Sequence, residues 1–224
     1  MLSSREPPFI FIHIPRTGGT SISLAIHRRF PRSTIDFADR KHATARQLAK
    51  LPHWTTALKI ALFRPPHQIL ASWFANAVTW HRRYHSPDWT PTDPPPTPEW
   101  VEYADRLHSL TFDRWLEEDV WTGKWPARRT FRATWLEPHL DELLLIDASD
   151  FQAAWAQVAF RLRTRILPWP PADTTVDETA RPDATPDFHE RCREHFASDY
   201  ELLHSLHHHP VLRYPSTGPR RLPI

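Results

Sequence analysis

Phe9-Ile10-Phe11-Ile12-His13-Ile14-Pro15-Arg16-Thr17-Gly18-Gly19-Thr20-Ser21 joins an apolar run to a glycine pair and a polar helix start. Residues 9–14 form an apolar run of β-branched and aromatic side chains, which predicts a strand covered on both faces, as in a parallel sheet. Pro15 ends it. Beyond the Gly pair, Ile22, Ala25, Ile26 and Phe30 fall on one helical face over Thr20–Phe30, so the segment predicts strand, tight loop and helix. The chain has only 4 glycines in 224 residues against 24 prolines. Gly18-Gly19 therefore marks a place where the backbone does something a side chain would prevent.

A glycine turn between a buried strand and a helix aims several backbone N–H groups at one point, where the helix dipole adds partial positive charge. Arg16 adds a full charge, and Thr17, Thr20 and Ser21 add hydroxyl donors. The segment reads as a cradle for phosphate or sulfate. It lacks the spacing and the terminal Lys of the Gly-x-x-x-x-Gly-Lys-Ser/Thr loop.

Further along, Thr44-Ala45-Arg46-Gln47 is a capping box that leads a helix into Leu48 and Leu51, with His42 in the loop before it. Ala57–Phe63 predicts a second buried strand, interrupted only by Lys59 and stopped by Arg64-Pro65-Pro66. Pro66 suits the first turn of a helix running through Ile69, Leu70, Trp73 and Phe74 to about Trp80. Helical patterns return at Trp100–Leu110 and Phe112–Trp121. Leu143–Asp147 predicts a third buried strand, and Ser149-Asp150-Phe151-Gln152 a capped helix after it. A last helix spans Pro186–Leu206, and residues 87–98 and 168–186 are proline-rich excursions. Strands alternating with helices predict an α/β three-layer sandwich with a mainly parallel sheet, a single domain across residues 1–224. In such sheets ligands sit at the carboxyl ends of the strands, where residues 13–21 and Arg64 fall.

Composition narrows the classes. The one cysteine, Cys192, excludes an intramolecular disulfide, there is no Cys/His spacing of the zinc-site kind, and a reducing compartment fits. No stretch approaches the ~20 apolar residues of a membrane span, and no leader pattern stands at the start, so a soluble, cytoplasmic protein is expected. The net charge of +2 conceals a basic first hundred residues and an acidic remainder. The basic residues form no run and no RNA-binding signature, so no nucleic-acid partner is expected.

His13-Ile14-Pro15-Arg16-Thr17-Gly18-Gly19-Thr20-Ser21 closely resembles the donor loop of the carbohydrate-type sulfotransferases, His-Ile-Pro-Lys-Thr-Gly-Gly-Thr-Ser, with Arg16 where the family has Lys. Arg64, Pro66 and Ser72 match in spacing the family's Arg-Asp-Pro-x-x-Arg-x-x-Ser, while Pro65 and Ile69 depart from it. Lys41-His42-Ala43-Thr44-Ala45 is similar to a Lys-His-x-Ser/Thr-Ala segment of bacterial and carbohydrate members, and Asp199-Tyr200-Glu201-Leu202-Leu203 looks like their C-terminal helix. The middle of the chain has little match. The resemblance implies a P-loop-like site for 3′-phosphoadenosine 5′-phosphosulfate. Arg16, Thr17, Gly18, Gly19, Thr20 and Ser21 would hold the sulfate end, and Arg64 and Ser72 the 3′-phosphate. It implies sulfuryl transfer, without a metal, to an acceptor hydroxyl on a glycan or small molecule. Arg16 would steady the leaving oxygen.

The reaction also needs a base for the acceptor's proton, and a neutral imidazole suits that task. His42, between the two motifs, is the candidate, and His13 at the strand end is its rival. His204 and His207–His209 read as a solvated helix end. Trp73, Trp115 and Trp155 lie on apolar helical faces and read as core, while Trp89 in the proline-rich excursion is a candidate acceptor-site aromatic. Two alternatives stand beside this reading. One is a nucleotide-triphosphate enzyme with Asp147 on Mg²⁺, and the other is a non-catalytic nucleotide-binding relative.

Overall fold

The computed structural model describes residues 2–6, 8–30, 34–35, 42–87, 97–124, 130–162, 182 and 185–208. They divide into two compact units, one drawn from the residues up to 65 with 131–162 and 198–208, the other from 66–130 and 185–197.

The first unit carries the sheet. Its strands are β1 (Leu2–Arg5), β2 (Pro8–Ile12), β3 (Thr34–Ile35), β4 (Leu58–Phe63) and β5 (Leu144–Asp147), in the order β3-β1-β2-β4-β5. β2, β4 and β5 run parallel, with Ile12 opposite Ala61 and Phe63 opposite Asp147. β1 is antiparallel to both β2 and β3. The sheet is thus mixed, not mainly parallel. The polar Leu2-Ser3-Ser4-Arg5 gives no strand periodicity, yet it folds back on Pro8–Phe11, where Leu2 is wholly buried. Pairing supplied by β2 outweighs its weak intrinsic preference.

The two buried faces explain the apolar runs. Phe9, Phe11, Ile60, Leu62 and Ile146 alternate onto one face, where they meet Ile22, Ala25 and Ile26 of helix α1 (Gly19–Arg29). Helix α7 (Phe151–Arg161) adds Ala154, Trp155 and Val158 to the same cluster. Ile10, Ile12, Ala61 and Phe63 point the other way and are equally buried. Each buried Ile, Leu or Phe among them contributes about 1.5–3 kcal/mol. Lys59, the one charge in β4, keeps its stem buried and sets its ammonium 3.6 Å from Glu142 Oε2 and over the Trp54 ring. Trp54 Nε1 donates to the same Glu142 oxygen at 2.8 Å.

Helix α2 (Ala45–Leu48) opens on the expected capping box. Gln47 N donates to Thr44 Oγ1 at 3.3 Å and Thr44 N to Gln47 Oε1 at 2.8 Å, but the helix is one turn long and stops short of Leu51. The cap of α7 is shifted by one residue from the expected Ser149. Asp150 accepts from Ala153 N, while Ser149 turns back to donate to Asp147. A short helix α6 (Phe131–Trp135), which no pattern announced, completes this region.

The second unit is helical. It comprises α3 (Pro66–Tyr84), α4 (Pro98–His108), α5 (Phe112–Trp115) and α8 (Pro186–His195) around Phe74, Phe112, Trp115 and Phe188. Adjacent rings stand 5.0–5.8 Å apart. The expected helix over Phe112–Trp121 changes after Trp115 into a π-helical turn, Leu116–Val120. That turn brings Asp119, 1% exposed, against the Arg106 guanidinium in a two-bond pair at 2.8 and 2.9 Å. The expected single helix over Pro186–Leu206 is two, α8 and α9 (Ala197–His208), because Phe196 leaves helical geometry at φ −112°. Trp115 and Trp155 are core residues, while Trp73 is half-buried. Trp89, the bulk of both proline-rich excursions and His209 lie outside the described residues. No described helix is long and apolar enough to cross a membrane.

Candidate functional site

The carboxyl ends of β2, β4 and β5 stand together at one edge of the sheet, so the residues that follow them share that edge. After β2 comes the loop. Arg16 adopts φ 64° and Gly18 φ 82°, both left-handed, and Arg16 is the one non-glycine residue in that region among those described. Holding an arginine there costs about 1–2 kcal/mol, so the surrounding structure must enforce it. Two bonds do so. Thr17, fully buried, donates its hydroxyl to the Ile14 carbonyl at 2.9 Å, and Arg64, directly after β4, donates to the Arg16 carbonyl at 3.3 Å.

Gly18 caps α1 from its left-handed position with no side-chain cap bond, and no acidic residue occupies the first turn. The amides that open this helix therefore keep their partial positive charge. Thr20 and Ser21, half-buried, sit in that turn. Gly19 is required by contact: a Cβ there would lie 2.1 Å from Cδ2 of His13, whose ring is buried against the helix start.

His42 is exposed and lies beside the loop, its ring 4.7 Å from that of His13. Its Nδ1 stands 3.4 Å from the His13 carbonyl, which can only accept, so in the tautomer that donates there the lone pair is on Nε2. Trp135 of α6 also meets His42, edge-on, with ring centroids 6.2 Å apart. α6 is in turn anchored from α9. Asp199, fully buried, accepts from Phe131 N at 2.9 Å and Arg132 N at 2.7 Å. Burial pushes its carboxyl up to about 6, despite the two amide bonds that favour the charged form.

Of the residues expected to act together, Arg16, Thr17, Gly18, Gly19, Thr20, Ser21, His42 and Arg64 all belong to the first unit and gather at the loop. Ser72 does not join them within that unit: it is a buried residue of α3, in the second. Trp135 and Asp199 were missed as parts of the site. Only the resemblance around residues 199–203 hinted at Asp199, and α6 is too short to show periodicity. Asp147, the alternative Mg²⁺ ligand, ends β5 and accepts from Ser149 N at 2.8 Å and Ser149 Oγ at 2.6 Å. Cys192 is no nucleophile: burial pushes its thiol up to about 12, so it stays protonated at neutral pH.

No protein-family model matches the chain, and neither a curated protein nor a solved structure is similar to it.

Proposed function

We propose that this protein transfers a sulfuryl group from 3′-phosphoadenosine 5′-phosphosulfate to an acceptor hydroxyl on a glycan or small molecule. The observation that carries the reading is the loop at residues 13–21. A parallel strand delivers it, two left-handed residues open it toward an uncapped helix start, and Arg64 of the neighbouring strand ties it down. Such a loop offers fixed donors for oxyanions, and they need no reorganisation when charge develops. The motif resemblance supplies the identity of the donor. With it come a three-layer α/β arrangement, a P-loop-like donor site and a cytoplasmic setting.

In the proposed reaction the acceptor oxygen attacks sulfur in line, and the bond from sulfur to the bridging phosphate oxygen breaks. Adenosine 3′,5′-bisphosphate leaves. Arg16 and the amides of residues 18–21 offset the charge on the departing phosphate. Arg differs from the family's Lys in presenting a planar fork of donors. His42 Nε2 takes the acceptor's proton, and Trp135 and the His13 carbonyl hold its ring. Arg64 is assigned to the 3′-phosphate. Ser72 enters on the resemblance alone.

Thermal denaturation with adenosine 3′,5′-bisphosphate, without metal, tests the donor site. The bisphosphate is expected to raise Tm, and Arg64→Ala to remove most of the rise. His42→Ala should keep the rise while losing transfer of radiolabelled sulfate from the donor to acceptors in a cell extract. Stabilisation by ATP with Mg²⁺ alone would overturn the proposal in favour of a nucleotide-triphosphate enzyme. Bisphosphate binding with no transfer under any condition would favour a non-catalytic relative.

A further inference from the structure

Outside the loop, one group of side chains is arranged as ligands. His81 and His85 are four residues apart on α3, so they stand on one face of the helix, and Asp105 comes from α4, which packs against it. His81 Nδ1 and His85 Nε2 each lie 2.9 Å from the same oxygen, Asp105 Oδ1. One potential ligand atom from each residue falls within 4.8 Å of the others, and this is the one such grouping among the described residues. All three belong to the second unit.

From this geometry we infer that His81, His85 and Asp105 bind a divalent transition-metal ion of the Zn²⁺ class. Ligand atoms about 2.0–2.2 Å from Zn²⁺ stand about 3.3–3.6 Å apart at tetrahedral angles. To admit the ion the 2.9 Å contacts spread, within a group whose ligand atoms all lie inside 4.8 Å, and the proton that each imidazole donates to Asp105 is released. Two imidazoles and one carboxylate match the preferences of Zn²⁺ and Co²⁺ and not those of Mg²⁺ or Ca²⁺, which take oxygen. His108 stacks on His81, ring centroids 4.0 Å apart and planes within 19°, which fixes the orientation of the more buried imidazole.

Three protein ligands leave a coordination position for an outside group, the pattern of open zinc sites. A hollow of about 470 Å³ borders Asp105, lined also by Tyr84, Pro98, Val101 and Glu102. It gives such a group somewhere to sit. This inference stands apart from the sulfate-donor loop and needs no metal in sulfuryl transfer. The spacing His-x-x-x-His does not by itself mark the site, because the third ligand comes from a different helix.

The sequence also contains the run His207–His209, which can take up metal by itself. The test therefore uses the full chain carrying His207→Ala, His208→Ala and His209→Ala. After chelator treatment this protein is titrated with Co²⁺, followed by its visible d–d absorption, and with Zn²⁺ by calorimetry and thermal denaturation. About one equivalent is expected to bind and to raise Tm. His85→Ala and, separately, Asp105→Asn should weaken binding by about tenfold or more, while leaving the Tm of the metal-free protein within a few degrees. Loss of all uptake in the His207–His209 background would overturn the inference. So would equal affinity in His85→Ala and Asp105→Asn.

Discussion

Gly19 has a hydrogen where any other residue would place carbon 2.1 Å from the His13 ring. Gly19→Ala must therefore move a buried imidazole or the start of α1, an overpacking that costs about 1–3 kcal/mol. Urea denaturation should show that loss, and His13→Ala combined with Gly19→Ala should recover part of it, because the double variant removes the clash. Strictly additive losses would mean the contact is not the cause. That Gly18-Gly19 mattered was legible from a glycine-poor chain. Which glycine does what was not: Gly18 is needed for its φ of 82° and Gly19 for the space it leaves. His13 and His42 were indistinguishable by residue type, and burial separates them. His13 is packed against the helix, while His42 is exposed with Trp135 behind it.

Elements built on continuous patterns match the sequence closely. β2, β4 and β5 coincide with the three apolar runs, and α1, α3 and α4 with amphipathic stretches. Short elements held from outside do not. α6 exists because Asp199 of α9 satisfies two amides at its start, a contact between residues 67 and 68 positions apart. That cap titrates. Because the folded carboxyl is raised to about 6 from its ordinary value of 3.8, the group's contribution to stability is fully present below about pH 4 and is lost as pH rises toward 6. The stability advantage of the wild type over Asp199→Asn should therefore shrink between about pH 4 and pH 6 and then level off, as read from urea midpoints at a series of pH values. A constant difference would place the Asp199 pKa at its ordinary value. The π-helical turn at Leu116–Val120 was equally hidden, since it takes shape around the Arg106–Asp119 pair.

At the scale of the molecule, protection should follow position in the sheet. β2 and β4 are each flanked by strands of four residues or more and have side chains buried on both faces, whereas β1 has only the two-residue β3 on its outer side and β5 has one neighbour. Their amides should exchange most slowly in hydrogen-exchange mass spectrometry, with β1 and β5 intermediate and the single-turn helices α2 and α6 fastest. Fast exchange in β2 would contradict the sheet order. Local sequence alone specifies the buried strands, the helix after the glycine pair, the caps at Thr44 and near Ser149, and the chemistry that residues 13–21 offer. All of these are written in side-chain periodicity and backbone freedom within a dozen residues. Tertiary structure alone decided that Leu2–Arg5 joins the sheet antiparallel, that Arg64 reaches the Arg16 carbonyl, that Asp199 anchors α6, and that His81, His85 and Asp105 converge. Each of these pairs or groups residues with no local pattern to link them, so only the packing of the whole chain brings them within bonding distance.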